Sequence, residues 1–319
     1  MRDTARSLLE RECPPSLLRA HIDDPAAAAP LWAHLRAYTA LGGGPLTDLH
    51  LFLEETGYVA APGPFFPTTA LFAPLLQAIG HELIPAVLDG EVTGTVALAG
   101  DDGVWTPNED PVKTFVAEAD RVDWVAVISS APAVTLVASP DTRRIVTIDP
   151  SRRLFEVDIR RVGAAAVIPI DRKALDSVVE RATVALAAEL VGTARRLFDM
   201  TLAYAKERIQ FDAPIGSFQA VQHKLADMAL ELERATSAVQ YAAMTIDAHD
   251  AERHRATHVA KASAGAAATR AAKDGIQIHG GIGYTWEHDL HLFIRRAYGA
   301  EHWLGTRGEH LDRLADLVI

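Results

Sequence analysis

The chain has 319 residues, of which 49% are hydrophobic and 23% charged, so it can bury a large core and lacks the composition of a disordered protein. Its 31 basic and 42 acidic side chains give a net charge of −11, which disfavours a non-specific nucleic-acid binder. The single cysteine excludes an intramolecular disulfide and a cysteine zinc cluster. Because no signal peptide and no long apolar run is found, we expect a cytoplasmic protein without membrane insertion.

The first 90 residues are predicted to be helical. Asp24 can cap a helix that has Pro25 in its first turn, and the following alanine-rich run ends in glycines near residue 42. Residues 46–60 have the pattern of a second amphipathic helix, and a proline-rich connector precedes an apolar helix that reaches Leu88.

Residues 91–170 change character and predict a small antiparallel β module. Short segments rich in β-branched residues, such as VTGTVALAG, DWVAVIS and AVTLVAS, are separated by turn sequences such as DDG and DPSR. The β pattern stops near Pro169.

From residue 171 onwards the pattern is helical again. We predict long helices at 172–208, from Ser217 and at 251–279, with shorter ones after them. The small residues of AKASAGAAATRAA are typical of closely packed helices inside a bundle. The predicted fold class is α+β and mostly helical, with an N-terminal helical domain (1–90), a middle antiparallel β domain (91–170) and a C-terminal four-helix bundle (171–319).

The segment YAKERIQFDAPIGSFQAVQHKLADMALELE, residues 204–233, carries a candidate anion site. Arg208 is placed in the last turn of one helix, and Ser217 opens the next helix, where unpaired N–H groups favour an anion. An arginine beside a helix N-terminus suits a pyrophosphate, with each charge-assisted hydrogen bond contributing about 1.5–3 kcal/mol. The alternative is a surface arginine near a loop.

The segment IQIHGGIGYTWEHDLHLFIRRA, residues 276–297, is rich in glycine. Its glycines follow a helix and not a strand, and the third glycine of a dinucleotide fingerprint is missing, so a Rossmann site is excluded. His279, directly before the glycine pair, can contact a ligand or cap the helix. Of the other histidines, His254 and His258 are spaced for metal binding but lack a third ligand, and we predict no metal site.

Together these two segments resemble the C-terminal domain of the acyl-CoA dehydrogenase flavoprotein family. The resemblance covers most of residues 171–306 and, more weakly through the helix–sheet–helix layout, the whole chain. It implies FAD, an acyl-CoA substrate and electron transfer to an electron-transferring flavoprotein. It also implies that the bundle of one subunit contacts the adenosine diphosphate half of the FAD held by its neighbour.

The residues that match the family's FAD contacts are Arg208, Phe211, Gln219, Gln277, Gly280, Gly281 and Thr306. By this resemblance the first three lie around the pyrophosphate, and the next three contact the cofactor from the facing subunit. Thr306 matches the threonine of the family's Glu-Gly-Thr motif, near the flavin.

The family's catalytic base is missing from its usual position. The resemblance implies that a carboxylate removes the α proton of the thioester, and it must lie within hydrogen-bonding reach of that proton. The matching triplet here is Leu304-Gly305-Thr306, and the alternative position on the first bundle helix falls on Ala182. The weak candidates for a relocated base are Glu180, Glu189 and Glu301. Each of them is also typical of a solvated or ion-paired helix carboxylate.

The β module also departs from the family, because the segments that hold the flavin ring have only weak echoes at Thr106-Pro107 and Trp124. These absences resemble the short subunits of heteromeric bacterial acyl-CoA dehydrogenases that act on bulky substrates such as steroid side-chain thioesters. In such α2β2 assemblies a second acyl-CoA dehydrogenase subunit supplies the base. The alternatives are a self-sufficient homo-oligomeric enzyme with a relocated glutamate, and a non-catalytic scaffold that has lost flavin.

Overall fold

A computed structural model describes residues 2–160 and 166–318, and the chain divides into two compact units. The first, here called the bundle unit, comprises Met1–Leu18, His50–Ala61 and Leu186–Ile319. The second, the sheet unit, comprises Arg19–Leu49 and Pro62–Ala185. The three domain boundaries drawn from the sequence remain a prediction.

Helices dominate the described residues, and the mostly helical α+β class is confirmed. The helices are α1 (Arg2–Glu12), α2 (Pro15–Asp23), α3 (Ala29–Leu35), α4 (Leu46–Tyr58), α5 (Ala73–Ala78), α6 (Ile84–Leu88), α7 (Arg172–Glu207), α8 (Gln219–Asp247), α9 (Arg253–His279), α10 (Leu290–His302) and α11 (Arg307–Val318). No described helix is both long and apolar enough to cross a membrane.

Asp24 begins a helical segment, a 3-10 turn at Pro25–Ala28, where capping predicts it, but the N-terminal helices are more broken than the sequence suggests. Asp24 has an extended backbone and accepts a hydrogen bond from the N–H of Ala26 at 2.9 Å, so it caps as expected. The apolar helix predicted up to Leu88 is instead a π-helical segment, Pro67–Phe72, followed by α5 and α6. The two helices are separated by Gly80, whose φ of +62° ends α5.

The middle of the chain forms the predicted small sheets. The strands are β1 (Gly94–Ala97), β2 (Val112–Ala117), β3 (Trp124–Ile128), β4 (Ala133–Val137), β5 (Asp141–Ile145), β6 (Leu154–Asp158) and β7 (Val167–Pro169), with a short hairpin in the bundle unit of β8 (Ile209–Gln210) and β9 (Ala213–Pro214). One sheet has the order β1-β3-β4-β7 and another β2-β6-β5. Pairing is antiparallel except between β1 and β3, which run parallel. Buried valines and Phe155 form the core of this region.

In the bundle unit, two glycines let α4 and α7 cross at close range. A Cβ added at Gly57 would overlap the backbone of Glu189, and one added at Gly192 would overlap the backbone of Glu54. Thr193 then donates a hydrogen bond to the carbonyl of Gly57 at 3.0 Å. The contact depends on backbone proximity, which only glycine permits at these positions.

Helices α8 and α9 pack along their length through the small residues of α9, as the sequence predicts. An ion pair between Lys224 and Asp274, at 2.6 Å, joins the beginning of α8 to the last turns of α9. The two helices are therefore antiparallel, and the N-terminus of α8 lies at the same end of the bundle as the C-terminus of α9.

Candidate functional site

The two sequence segments that carry the family resemblance meet at one end of the bundle unit. Tyr204, one turn before Arg208, stacks on His279 with ring centroids 4.4 Å apart and an interplanar angle of 17°. His279 directly precedes Gly280. The C-terminal ends of α7 and α9 therefore lie side by side, and we call this region, residues 204–219 and 275–281, the bundle end.

The start of α8 joins the same region. The N–H of Ile215 donates to the carbonyl of Arg208 at 2.8 Å, which returns the chain past the end of α7. Helix α8 begins at Gln219 and not at Ser217, because Ser217 lies in a preceding 3-10 turn and donates its hydroxyl to the carbonyl of Pro214 at 2.7 Å. The N-cap residue is Phe218, and no side chain caps the first N–H groups of α8.

The predicted FAD contacts at this end are exposed. The side chains of Arg208, Gln219 and Gln277 lie on the surface, and Phe211 is 90% exposed with a φ of +52°. Phe211 contacts Phe218 edge-on, with ring centroids 6.2 Å apart. A large apolar ring that is held in the left-handed region and left in solvent is unusual for a residue that serves only its own fold.

The glycine pair is equally open. Gly280 has a φ of +63°, which explains a glycine at the end of α9. A Cβ added at Gly280 or Gly281 would have no heavy atom of the surrounding chain within 4 Å of it. Packing within this chain therefore does not account for Gly281, whereas a backbone that a ligand or partner approaches closely would do so.

His279 has one nitrogen in use within the chain. Its Nδ1 donates to the carbonyl of Gly275 at 2.8 Å, so the ring satisfies the last turn of α9, in agreement with the capping alternative. Burial lowers the pKa of His279 and keeps the ring neutral. The other nitrogen, Nε2, is then an acceptor, and it is buried without a hydrogen bond. An unsatisfied buried acceptor at this end fits a ligand or partner that supplies a donor.

Thr306 does not lie at the bundle end. It follows α10 in a turn held by Lys261 of α9, whose Nζ donates to the carbonyls of Glu301 and Gly305 at 2.7 Å each. Along α9, the distance from Lys261 to Gly280 is about 28 Å, at 1.5 Å per residue. The structure therefore separates the sequence-predicted contacts into two places, the bundle end and the segment 301–310, here called the 301–310 turn.

Sequence reasoning missed the role of Thr306 in its own helix. Its N–H and hydroxyl donate to Glu309 at 2.6 and 2.9 Å, and the N–H of Glu309 approaches the Thr306 hydroxyl at 3.3 Å. This is a capping box at the start of α11, and the hydrogen bonds lower the pKa of Glu309. The Thr-x-x-Glu pattern is visible in the sequence and could have identified it.

The two positions that the resemblance assigns to the family base are apolar and buried. Leu304 is 3% exposed and has a φ of +59°, and Gly305 follows with a φ of +96°. Ala182, the alternative position on α7, is fully buried. Neither side chain can accept a proton.

Glu189 and Glu301 make structural contacts within the bundle unit. Glu189 is buried, and its Oε1 pairs with Nη1 of buried Arg296 at 2.6 Å. The Oε1 of Glu301 accepts a hydrogen bond from the N–H of Arg307 at 2.7 Å, in the first turn of α11. Glu180 is half-buried in the part of α7 that belongs to the sheet unit.

One of the two spaced histidines of α9 has a partner in another helix. Nδ1 of His258 lies 2.8 Å from Nδ1 of His310 in α11. Among the described residues, no group of three or more histidine, cysteine, aspartate or glutamate side chains is arranged to hold a metal ion.

Comparisons with known proteins agree with the resemblance drawn from these segments. The family model described as "Acyl-CoA dehydrogenase, C-terminal domain" matches residues 174–319. Acyl-CoA dehydrogenase IpdE2 of Mycobacterium tuberculosis is 30% identical over 332 residues, which cover 100% of this chain and 96% of that protein.

Two solved structures extend the likeness over the whole fold. "Tcur3481-Tcur3483 steroid ACAD G363A variant" matches with a TM-score of 0.87 and 27% identity over 99% of this chain and 96% of that chain. The ChsE4-ChsE5 complex from Mycobacterium tuberculosis has a TM-score of 0.86 at 22% identity, covering 99% of this chain and 95% of that one, which shows the fold alone. From the full-length match to IpdE2, this chain belongs to the acyl-CoA dehydrogenase family.

Proposed function

We propose that this chain is one subunit of an FAD-dependent enzyme that removes hydrogens from the α and β carbons of an acyl-CoA thioester, and that a partner subunit supplies the catalytic base. The proposal depends above all on the side chain of Leu304. Leu304 lies in a buried left-handed turn at the position that the resemblance assigns to the base, and its side chain cannot take a proton. The chain thus contributes the shape of the site without the acid–base chemistry.

The contacts of two candidate glutamates support this division of labour. A base needs an oxygen within reach of the α proton. Glu189 is held inside the bundle unit by Arg296, and Glu301 caps α11, so each stabilises the fold of its own chain. The alternative of a self-sufficient homo-oligomer would require one of the three candidates, Glu180, Glu189 or Glu301, to act as the base.

The residues at the bundle end fit the pyrophosphate half of FAD. The exposed guanidinium of Arg208 can pair with a phosphate, and the uncapped N–H groups of α8 favour the same charge. The exposed amides of Gln219 and Gln277 can hydrogen-bond to the cofactor. Gly280 and Gly281 let the cofactor approach the backbone closely, and the exposed ring of Phe211 can pack against an apolar face of it. When bound, FAD supplies the acceptor for the hydride that leaves the β carbon.

In a hetero-oligomer, the bundle end and the 301–310 turn of one chain can each contact a cofactor although they lie apart. In our proposal the bundle end contacts FAD that is held by the partner subunit, and Thr306 in the 301–310 turn lies near a flavin. The likeness to the Tcur3481-Tcur3483 steroid ACAD supports two kinds of subunit and a bulky steroid-type acyl-CoA, and we propose an α2β2 assembly. An electron-transferring flavoprotein would accept the electrons, and the enzyme would work in the cytoplasm.

The proposal is tested by purifying the chain alone and together with co-expressed acyl-CoA dehydrogenase subunits, recording mass and flavin absorbance each time. We expect flavin only with a partner, at fewer than one FAD per chain. Flavin in a homo-oligomer of this chain alone would overturn the partner model and direct attention to Glu180, Glu189 and Glu301. Absence of flavin with the true partner present would favour the scaffold alternative.

Substitutions at the bundle end sharpen this test. Arg208→Ala should release flavin from the complex, while Arg208→Lys should retain part of it, because lysine keeps the charge but not the paired donors. Since Arg208 is exposed, the lone chain should unfold at the same temperature in both variants. Unchanged flavin content in Arg208→Ala would remove Arg208 from the site.

A further inference from the structure

A buried lysine lies under the 301–310 turn. Lys261 has no exposed surface, and its Nζ donates to the carbonyls of Glu301 and Gly305 at 2.7 Å each. Glu301 belongs to the last turn of α10, where unpaired carbonyls favour a cation. One ammonium group therefore joins the end of α10 to the residue that precedes Thr306.

His310, which contacts His258, holds the carbonyl that lies between these two contacts. Nε2 of His310 lies 3.0 Å from the carbonyl of Leu304, and because a carbonyl can only accept, His310 carries its proton on Nε2. Its Nδ1 lies 2.8 Å from Nδ1 of His258. With both rings neutral, His258 donates and His310 accepts. Burial lowers the pKa of His258 to about 4 and of His310 to about 3, so both stay neutral at physiological pH.

The turn that these groups hold is unfavourable by itself. Leu304 has a φ of +59°, a conformation that a leucine rarely adopts. At Gly305, with a φ of +96°, an added Cβ would lie 2.9 Å from Nε2 of His310. The imidazole therefore packs directly against Gly305. The left-handed turn at residues 304–305 and the buried donor of His310 depend on each other.

Burying the donors also costs free energy. Desolvation lowers the pKa of Lys261 to about 8, against the opposing effect of Glu301 and Glu309, so the charged ammonium is destabilised where it lies. An apolar side chain in a relaxed turn would avoid both this cost and the strain at Leu304. Strain of this kind is concentrated in functional sites, where the surrounding contacts fix a particular shape.

We propose that Lys261, together with His310 and His258, is a positioning residue that fixes the turn at residues 304–306 for contact with the flavin in the assembled enzyme. The inference rests on the function proposed above. None of the three side chains is assigned a contact with cofactor or substrate. They act through the carbonyls of Glu301, Leu304 and Gly305, and thereby fix where Thr306 begins α11.

The test compares three variants of the co-expressed complex. Lys261→Met removes both hydrogen bonds and the charge at similar length, and Lys261→Arg restores donors and charge. Val239→Ala, in the buried face of α8, is a control that weakens the bundle without changing a polar group. Each complex is examined for the visible flavin spectrum, the rate of flavin release and kcat, and each lone chain for hydrogen exchange in residues 301–310.

We expect Lys261→Met to shift the flavin band and to lower kcat by about ten- to a hundredfold, as for other changes that displace a site indirectly. Hydrogen exchange at 301–310 should rise in the lone chain, and Lys261→Arg should recover much of the loss. Val239→Ala should lower the unfolding temperature with the flavin band unmoved. If Lys261→Met does not fold, His310→Leu, which removes the hydrogen bond to Leu304, should give the same shift.

Two results would overturn the inference in distinguishable ways. If wild-type complexes bind flavin but Lys261→Met and His310→Leu keep its spectrum, release rate and kcat, Lys261 serves the fold alone while the proposed function stands. If the wild-type chain binds no flavin with its partner, the proposed function and the positioning role fail together.

Discussion

The bundle end and the 301–310 turn both carry residues that by resemblance match the family's cofactor motifs, but they satisfy their polar groups in opposite ways. At the bundle end, Arg208, Gln219 and Gln277 point into solvent, and Gly281 contacts nothing in its own chain. In the 301–310 turn, carbonyls and side chains are saturated by Lys261, His310 and Glu309. The bundle end thus leaves its polar side chains to solvent, whereas the 301–310 turn pairs its polar groups within the chain.

The largest expected effect concerns the buried ion pair between Glu189 and Arg296, which in our proposal keeps Glu189 from acting as the base. Arg296→Met leaves the carboxylate of Glu189 in the core without its cation, and we expect it to lower the free energy of unfolding by about 3–5 kcal/mol. The double variant Glu189→Leu/Arg296→Met should recover most of this loss. Urea unfolding of the lone chain measures both values.

A surface ion pair provides the control for that prediction. Arg172 and Asp176 pair at 2.8 Å with about half of each side chain exposed, so Arg172→Met should cost less than about 1 kcal/mol. If Arg296→Met were as mild as this control, Glu189 would not depend on Arg296 and would return as a candidate base.

The next largest effect is the pH dependence of stability that comes from His310 in the 301–310 turn. The pKa of His310 falls to about 3 in the folded chain, from an ordinary value of 6.5, because the ring is desolvated and lies near Lys261. The unfolded chain therefore binds more protons below pH 6.5. The contribution of His310 is fully present above pH 6.5 and is lost as the pH falls towards 3, by about 1.4 kcal/mol per pH unit.

His310→Gln tests this contribution, because glutamine keeps an N–H donor but does not titrate. The unfolding free energy of the variant should fall less steeply between pH 6 and pH 4.5 than that of the wild-type chain. Equal slopes would show that the folded chain protonates the pair easily, and the turn would then be less closed than its contacts indicate.

The sequence was sufficient for the fold class and for the residues that depend on local pattern. Asp24 caps where it was expected, α7 and α9 end within one residue of their predicted limits, and the glycine pair ends α9. These features depend on capping, helical periodicity and positive φ, which neighbouring residues determine. The parallel pairing of β1 with β3 and the break of the helix before Leu88 depend on packing partners that are distant in sequence.

The candidate site could be predicted only where its residues belong to a local motif. Arg208 and the glycine pair were singled out through their motifs, and the Tyr204–His279 stack shows that the two segments lie side by side. Lys261 looked like one polar residue in an alanine-rich helix, because its partners are carbonyls about 40 residues further along the chain. Likewise, the spacing of His254 and His258 along α9 gave no indication that His258 lies against His310 in the folded chain.

The smallest expected effect on stability, and the most direct comparison of the two regions, comes from the same substitution made in each. Gly305→Ala places a methyl group 2.9 Å from His310 at a φ of +96°, and we expect it to cost about 1–3 kcal/mol. Gly281→Ala meets no atom within 4 Å and has no positive φ, so its cost should stay within about 0.5 kcal/mol. Thermal unfolding of the lone chain measures both. In the co-expressed complex Gly281→Ala should nevertheless speed flavin release, because a methyl group at Gly281 obstructs whatever approaches the bundle end. If Gly281→Ala altered neither unfolding nor flavin release, the bundle end would be an ordinary surface, and the contrast between the two regions would lose its functional meaning.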